Sequence, residues 1–406
     1  MHPRRLRLST AGLAAAVISC ASLIGAGTAT AAPTVSVVAK GLNAPRHLTF
    51  GPGGDLYVAV AGVGGRDRRG CLPGTGVRGT ATRFCPGQSS AIDRITLSGH
   101  SSPLLKVLPS VRETDTGQVT GAEALTFHSG HPVVLMGNVQ SDAIGQAPLN
   151  GGSAGSFGNL AEGKLYKRTG QILLDGPTPR INLSAFAATH PQPAATLGGL
   201  PGETLYDSDP QDLAPYRGGY AVVDAGANDV LIVDSKSHVS NVVRLPTTDQ
   251  LAPADSLTPN SPAPTIAAQA VPSSVTVGPD GALYVGVLRG LPSLPGSAAI
   301  YRIVPGQTPV AVVTGLTRVS DLAFSPTGQL LILESNTGGG LAPTSTGGAL
   351  LGATLNGTTP ATATNLQVPG LIDPVGLTVD AHGDAFITND TSGAHDGQII
   401  KVSGLS

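Results

Sequence analysis

The sequence predicts an all-β fold, a six-bladed β-propeller of four-stranded antiparallel blades. The chain contains 55 glycines and 33 prolines among 406 residues and only 12% charged residues, a composition that disfavours helical bundles. A pair of apolar runs around a glycine-containing turn, the pattern of a β-hairpin, recurs six times. The last of these units lacks a fourth strand, and a matching strand stands at the other end of the chain. That strand predicts a ring closed by pairing of the N-terminal strand with the C-terminal blade.

The hairpin is clearest in residues 46–58 and 273–285, which align without gaps. Both contain the turn Gly-Pro-x-Gly followed by Leu-Tyr-Val. Four more hairpins are predicted to begin at residues 122, 209, 320 and 374. Third strands are predicted at residues 90–95, 163–167, 229–234, 298–303, 349–353 and 398–402. Fourth strands are predicted at residues 104–108, 171–174, 239–245, 310–313 and 365–368.

The sixth unit ends with the chain, and residues 34–42 resemble the fourth strand at 308–316. We therefore expect residues 34–39 to pair with residues 398–402. Long loops are predicted between the blade strands, where Gly, Pro, Ser, Thr and Ala dominate. These loops are residues 62–89, 139–162, 175–208, 246–270 and 336–347.

The N-terminus has the organisation of an export signal. Three arginines within the first seven residues precede an apolar stretch at 13–24, and Ala-Thr-Ala follows at 29–31. We expect residues 1–31 to be a signal peptide and residues 32–406 to form one secreted propeller domain. The apolar stretch is too short for a membrane span, so no transmembrane segment is expected.

The three cysteines suggest two features, a lipid anchor and a disulfide. Residues 17–20 match a bacterial lipobox, so a lipoprotein anchored through Cys20 is the alternative to free secretion. Cys71 and Cys85 are the other two cysteines. In an oxidising compartment they are expected to form a disulfide, because two cysteines without a neighbouring His or Asp cluster make a poor metal site.

The repeated segments also resemble a known family. Residues 41–59, 90–95, 207–234 and 272–286 are similar to the ScyD/ScyE family. This resemblance implies an exported six-bladed propeller, related in shape to NHL-repeat and TolB-like propellers, and no established activity. The chain departs from the family pattern around residues 121–124 and at Val287.

Polar residues at the starts of the innermost strands are the candidate ligand-binding residues, because these starts converge at one mouth of the central channel. The alternative is that they satisfy backbone N–H groups in turns. The candidates are Arg46, His47, Glu123, Asp209, Asp212, Ser273, Ser274, Ser320, Asp321 and Asp373.

No cofactor is expected from any complete motif. Oxygen ligands for Ca²⁺ are available from the four aspartates of that set, although no calcium-binding repeat accompanies them. Two further patterns are open, a metal centre of Glu123 with Asn138 or Asn228, and a quinone site at Arg46 and His47.

The sequence favours a binding or scaffolding module without catalysis. Its ligand would be a small molecule, a polysaccharide or a protein, and the chain is expected to be a monomer. Nucleic acid is excluded because the formal net charge is −2 and no basic excess is present. The alternative is a propeller enzyme, lactonase-like or quinoprotein dehydrogenase-like, that uses the channel mouth.

Overall fold

The computed structural model describes thirteen segments of the chain. They are residues 32–65, 70–75, 81–128, 130–138, 171–173, 179–190, 192–193, 204–205, 208–236, 238–251, 265–340, 347–392 and 395–405. All of them belong to the unit Ala32–Ser406. The predicted signal peptide and the lipobox at Cys20 lie outside the described residues.

Strands dominate the described residues. The first part of the chain has β1 (Thr34–Leu42), β2 (Pro45–Phe50), a 3-10 turn (Pro52–Gly54), β3 (Leu56–Val60), β4 (Leu72–Thr75), β5 (Ala81–Ile95), β6 (Ser101–Glu113), β7 (Val119–Thr120), β8 (Ala122–His128) and β9 (His131–Met136). The middle part has β10 (Gln171–Leu173), β11 (Pro179–Asn182), α1 (Leu183–Thr189), β12 (Gln192–Pro193), β13 (Thr204–Leu205), β14 (Pro210–Tyr216), β15 (Gly219–Asp224), β16 (Asp229–Val233), β17 (Val239–Arg244), β18 (Thr248–Leu251) and β19 (Thr265–Ala268). The last part has β20 (Pro272–Val277), β21 (Leu283–Val287), β22 (Ala298–Ile303), β23 (Val310–Leu316), β24 (Val319–Phe324), β25 (Leu330–Glu334), β26 (Ala349–Ala353), β27 (Thr364–Asn365), β28 (Leu377–Val379), β29 (Ala385–Asn389) and β30 (Gly397–Ser403).

The larger sheets follow one another along the chain and are numbered here by their first strands. Sheet 1 has the order β2-β3-β5-β6-β7 with β4 beside β5, sheet 2 β8-β9-β10-β11, and sheet 3 β14-β15-β16-β17. Sheet 4 has the order β20-β21-β22-β23, sheet 5 β24-β25-β26-β27, and sheet 6 β28-β29-β30-β1. This all-β arrangement of stacked antiparallel sheets is a β-propeller, as predicted.

Five of these sheets are four-stranded blades, so the prediction of six four-stranded blades is wrong in its count. Sheet 1 has six strands, because the segment predicted as the loop 62–89 pairs with itself and contributes β4, and the short strand β7 is added beside β6. Leu72 lies opposite Phe84 in the β4–β5 pair, and a disulfide joins the adjacent Cys71 and Cys85. The predicted disulfide is therefore confirmed, and it holds together an extension of the blade rather than a loop.

The N-terminal strand lies in the last sheet. Strand β1 pairs with β30 in antiparallel register, with Thr34 opposite Ser403 and Val37 opposite Ile400. The predicted pairing of residues 34–39 with residues 398–402 is therefore present in the structure.

Sheet 2 departs from the predicted order of strands. Residues 171–174 were expected to form its fourth strand, but β10 pairs directly with β9 and β11 takes the outer place. The third strand predicted at 163–167 lies outside the described residues. Two predicted loops, 175–208 and 246–270, contain the short pairs β12–β13 and β18–β19. Among the described residues, no helix is both long and apolar enough to cross a membrane.

Among the described residues, three aromatic pairs join neighbouring sheets in the same way. In each pair, a ring on the second strand of one sheet meets the edge of a ring on the first strand of the next sheet. The pairs are Tyr57–Phe127 at 4.8 Å, Tyr284–Phe324 at 5.1 Å and Phe386–Phe50 at 5.3 Å between ring centroids. The third pair packs sheet 6 against sheet 1.

Glycine is required beside two of these rings. A Cβ at Gly51 would overlap the ring of Tyr57, and a Cβ at Gly278 would overlap the ring of Tyr284. The repeated Gly-Pro turn therefore makes room for the aromatic ring that packs between two sheets.

The first strands of neighbouring sheets contact one another. Strands β2, β8, β14, β20, β24 and β28 each contact the next in this order, and β28 also contacts β2. The starts of these six strands consequently lie around one mouth, where the candidate site residues are located.

Candidate functional site

The first strands begin with a β-bulge, which redirects side chains at the mouth. The pairing register shifts at this point in sheets 1 to 5, just after the first residue of each strand. In sheet 6, Val375 and Gly376 both bond with Thr388, which gives the same two-against-one arrangement. Bulges commonly re-aim a side chain next to a functional site.

Equivalent positions around the axis form three rings of residues. The rim ring precedes the strands and consists of Ala44, Gly121, Asp209, Val271, Arg318 and Asp373. The middle ring lies in the bulge and consists of Arg46, Glu123, Gln211, Ser273, Ser320 and Val375. The inner ring follows it and consists of His47, Ala124, Asp212, Ser274, Asp321 and Gly376.

A cavity of about 560 Å³ opens at this mouth. The whole middle ring lines it, together with the rim ring except Gly121 and, from the inner ring, His47. The predicted site residues therefore divide into two groups. Arg46, His47, Glu123, Asp209, Ser273, Ser320 and Asp373 face the cavity. Asp212, Ser274 and Asp321 do not line it and are buried.

The inner ring alternates in chemistry from sheet to sheet. Sheets 1, 3 and 5 contribute the ionisable residues His47, Asp212 and Asp321, which are 5–7% exposed. Sheets 2, 4 and 6 contribute the small residues Ala124, Ser274 and Gly376. Gly376 packs so closely on the backbone of His47 that a Cβ there would overlap it. Small residues on alternate sheets leave space in which the three larger side chains meet.

His47 lies between the two buried aspartates. Its Nδ1 is 3.1 Å from Asp321 Oδ2 and 3.9 Å from Asp212 Oδ1. Burial by itself lowers the pKa of His47, but the two carboxylates raise it to about 9. Burial raises the pKa of the Asp212 carboxyl to about 6, opposed by the positive charge of His47. Without another cation, the cluster is therefore held together by a protonated imidazole.

Backbone N–H groups orient both carboxylates. Asp212 accepts from its neighbour Leu213 at 2.8 Å and from Val275 of sheet 4 at 2.9 Å. In the same way, Asp321 accepts from Leu322 at 2.7 Å and from Leu377 of sheet 6 at 2.5 Å. Each carboxylate thus bridges two sheets. The alternative role foreseen for these aspartates, satisfying backbone N–H groups, is present together with the contact to His47.

Arg46 is fixed at the wall of the cavity. Its Nε lies 3.0 Å from Glu123 Oε2, and its Nη2 donates to the carbonyl oxygen of Val119 at 2.5 Å. Among the described residues, no hydrogen bond of its Nη1 is found. The guanidinium is therefore held on one side and keeps donors for a molecule in the cavity.

The polar residues of the cavity that were not predicted include Gln211, Arg318 and Asn336. Arg318 occupies the rim position equivalent to Asp209 and Asp373, so extending the repeat alignment by one residue would have found it. Its φ of 46° lies in the left-handed region, as do those of Ala44 and Asp373 at the same rim position. Burial lowers the pKa of Arg318, and the charge of Asp373 opposes this effect.

The four aspartates considered as oxygen ligands for Ca²⁺ do not form one cluster. Asp212 and Asp321 belong to the inner ring, whereas Asp209 and Asp373 belong to the rim. The one group of three potential metal ligands among the described residues is His47, Asp212 and Asp321, whose ligand atoms all lie within 4.8 Å of one another. Asn138 and Asn228, considered as partners of Glu123, donate instead to the backbone of Ser208 and Leu245.

Comparison with solved structures finds similar chains over most of the length of this one. A glucose dehydrogenase is 14% identical, with 91% of this chain and 99% of that chain covered and a TM-score of 0.48. Virginiamycin B lyase from Staphylococcus aureus is 12% identical, with 91% and 98% covered and a TM-score of 0.44. Aldose sugar dehydrogenase from Streptomyces coelicolor, solved with PQQ bound, is 12% identical, with 91% and 98% covered and a TM-score of 0.37.

The class of protein defined by the fold is thus a β-propeller with a polar cavity at the mouth of its axis. No family model matches the chain, and no curated protein matches it. The three solved propellers named above are enzymes, and the expectation of a module without catalysis is corrected accordingly.

Proposed function

We propose that this chain is an enzyme that acts on a small polar molecule at the channel mouth, and that it hydrolyses lactone-type esters. The observation that carries this proposal is the position of the buried cluster of His47, Asp212 and Asp321 directly behind a polar cavity. Ionisable groups that converge at a pocket are the usual mark of a reaction centre. Here they come from three different sheets, which together form a rigid support.

The lining of the cavity favours hydrolysis over quinone-dependent oxidation. Among the described residues that line it, none is Phe, Tyr or Trp, and the apolar ones are small or aliphatic. A planar quinone cofactor would lack a large aromatic side chain to stack on. In lactone hydrolysis, water adds to the carbonyl carbon, the ring C–O bond breaks and the ring oxygen takes a proton. The product is a hydroxy acid.

Arg46 supplies the polar contact that this reaction needs. Negative charge develops on the carbonyl oxygen as water attacks, and a fixed guanidinium stabilises such charge without reorganisation. Glu123 and the carbonyl of Val119 hold Arg46 in place. His47 is the only inner-ring residue that lines the cavity, so we assign it the contact with the reacting atoms.

The same proposal includes a closed six-bladed ring, with the six-stranded sheet 1 as an enlarged blade. Pairing of β1 with β30 and packing of Phe386 on Phe50 support it. Membership of the ScyD/ScyE family, secretion of residues 32–406 after removal of residues 1–31, and a monomeric state are further proposals. They rest on the sequence patterns described above.

The test uses the chain from residue 32 onward and a panel of γ- and δ-lactones, with hydroxy acid formation followed by a pH indicator. We expect turnover by the native protein and a loss on the order of 10²-fold for His47→Gln and for Arg46→Gln. The control is His100→Gln, which changes an exposed histidine of a turn. Oxidation of sugars by quinone-supplemented protein, without turnover of any lactone, would contradict the proposal.

A further inference from the structure

We propose that His47, Asp212 and Asp321 bind a divalent transition-metal cation on the axis of the propeller. As a binding site, the cluster stands on its own geometry. Its role as the centre of lactone hydrolysis rests on the proposed function.

The distances fit ligands of one ion. All three ligand atoms lie within 4.8 Å of one another, with Nδ1 of His47 3.1 Å from Asp321 Oδ2 and 3.9 Å from Asp212 Oδ1. Ligands that each stand about 2.0–2.2 Å from a metal ion are separated by roughly 3–4.5 Å. A cation therefore fits between these atoms with small movements of the side chains.

The charges of the cluster point to the same conclusion. The cluster places two buried carboxylates beside one imidazole, and Glu123, the next anion near His47, is already paired with Arg46. Buried charge without a partner is costly. A divalent cation with a neutral imidazole and two carboxylates gives a net charge of zero.

The surroundings of the carboxylates resemble a metal site. Metal-binding carboxylates are themselves usually held by hydrogen bonds from a second layer of groups. Asp212 receives two backbone N–H groups, and so does Asp321. Each carboxylate oxygen keeps a lone pair for another partner, so the ligands are oriented before an ion arrives.

An independent observation comes from the fourth polar residue of the inner ring. Ser274 is 0% exposed, and its Oγ has no hydrogen-bond partner among the described residues. It occupies the inner-ring position in sheet 4, between the sheets of Asp212 and Asp321. Buried hydroxyls are normally bonded, so an unpartnered one at this ring position indicates a missing ligand or metal-bound water.

The donor set identifies the type of ion. One imidazole nitrogen with two carboxylate oxygens suits Zn²⁺, Mn²⁺ or Fe²⁺, whereas Ca²⁺ prefers an all-oxygen shell of six to eight ligands. Three protein ligands leave coordination positions open, which is the arrangement of catalytic rather than structural sites. His47 lines the cavity, so the open positions would be reached from there.

The experiment measures metal binding directly. The chain from residue 32 onward is stripped with EDTA, dialysed, and titrated with Zn²⁺, Mn²⁺ and Ca²⁺ by calorimetry, with Co²⁺ absorption as a spectroscopic readout. We expect one Zn²⁺ or Mn²⁺ per chain, weaker Ca²⁺ binding, and at least tenfold weaker binding in Asp212→Asn and Asp321→Asn. Asp249→Asn, an exposed carboxylate elsewhere, is the matched control.

His47→Gln keeps both carboxylates and serves as a second variant if an aspartate variant fails to fold. The Co²⁺ spectrum should lose its imidazole contribution in this variant. No stoichiometric binding, or binding unchanged in all folded variants, would overturn the metal site. Lactone turnover by metal-free protein would likewise overturn it as the reaction centre, while leaving the proposed function intact. Metal binding without turnover of any lactone would support the site and count against the proposed function.

Discussion

His47 and Asp321 are 274 positions apart in the chain, and the Nδ1 of one lies 3.1 Å from the Oδ2 of the other. His47 belongs to sheet 1 and Asp321 to sheet 5, so only the arrangement of sheets around the axis brings them together. Asp321 also accepts a hydrogen bond from Leu377 of sheet 6. The carboxylate of Asp321 therefore links sheets 5, 1 and 6, and through His47 it contacts a residue that lines the cavity.

The charge of Asp321 should control the protonation of His47. In Asp321→Asn, the side chain keeps an acceptor oxygen for Leu377 but loses its negative charge. The pKa of His47, raised to about 9 by Asp212 and Asp321, should then fall. NMR titration of the His47 ring protons in EDTA measures this directly. Asp249→Asn is the control, and a pKa unchanged from the native value would mean that the contact does not form in solution.

The stability of the metal-free protein should decrease with rising pH because of this cluster. The pKa of His47 rises from 6.5 to about 9 on folding, so its contribution is complete below pH 6.5 and is lost as the pH passes 9. The pKa of Asp212 is also raised, to about 6, so folding favours the protonated carboxyl and the stability falls further as the pH rises from 4 to 6. For His47 alone, the loss is at most about 3 kcal/mol.

Urea unfolding at several pH values in EDTA tests this expectation. His47→Gln should remove the decrease between pH 6.5 and 9 and leave the part below pH 6 in place. His100→Gln should behave as the native protein, because this histidine is exposed. Equal slopes in the native protein and His47→Gln would refute the assignment of the decrease to His47.

Packing of the last sheet on the first should be measurable as a coupling energy. A double-mutant cycle of Phe50→Leu and Phe386→Leu is expected to give a coupling of about 1 kcal/mol, the usual value for an edge-to-face aromatic pair. The matched control is a cycle of Tyr284→Leu and Phe324→Leu. This pair is also edge-to-face, but it joins sheets 4 and 5, which are consecutive in the chain. Coupling in the control pair but none in the first pair would argue against the closed ring.

The disulfide should stabilise the extension of sheet 1. It joins Cys71 to Cys85 across a sequence separation of 14 residues. Cys71→Ser together with Cys85→Ser should lower the free energy of unfolding by about 3 kcal/mol, because the unfolded chain regains the entropy of that loop. Thermal unfolding of the native protein with and without reductant provides the comparison. A reductant effect that persists in the double variant would show that it does not come from this disulfide.

Much of the site could be predicted from repeat position alone. The alignment of strand starts located Arg46, His47 and Glu123, and it also located Asp212 and Asp321. Arg318 stands at the same rim position as Asp373. It was not predicted, because the candidates of the fifth hairpin were taken from Ser320 onward and the rim position of that hairpin was left out. The division of these residues into a cavity lining and a buried inner ring could not be predicted. It depends on how far each bulge turns a side chain toward the axis.

The sequence by itself determined the strand pattern, the hairpin turns, the disulfide and the pairing of the two chain ends. These features are local or repeated, so alternation of apolar residues and turn chemistry are sufficient to specify them. Only the tertiary structure decided that the loop at 62–89 becomes part of a six-stranded sheet and that His47 meets Asp212 and Asp321. These outcomes depend on contacts between distant segments, and side chains from alternate sheets meet only when the sheets are arranged around a common axis.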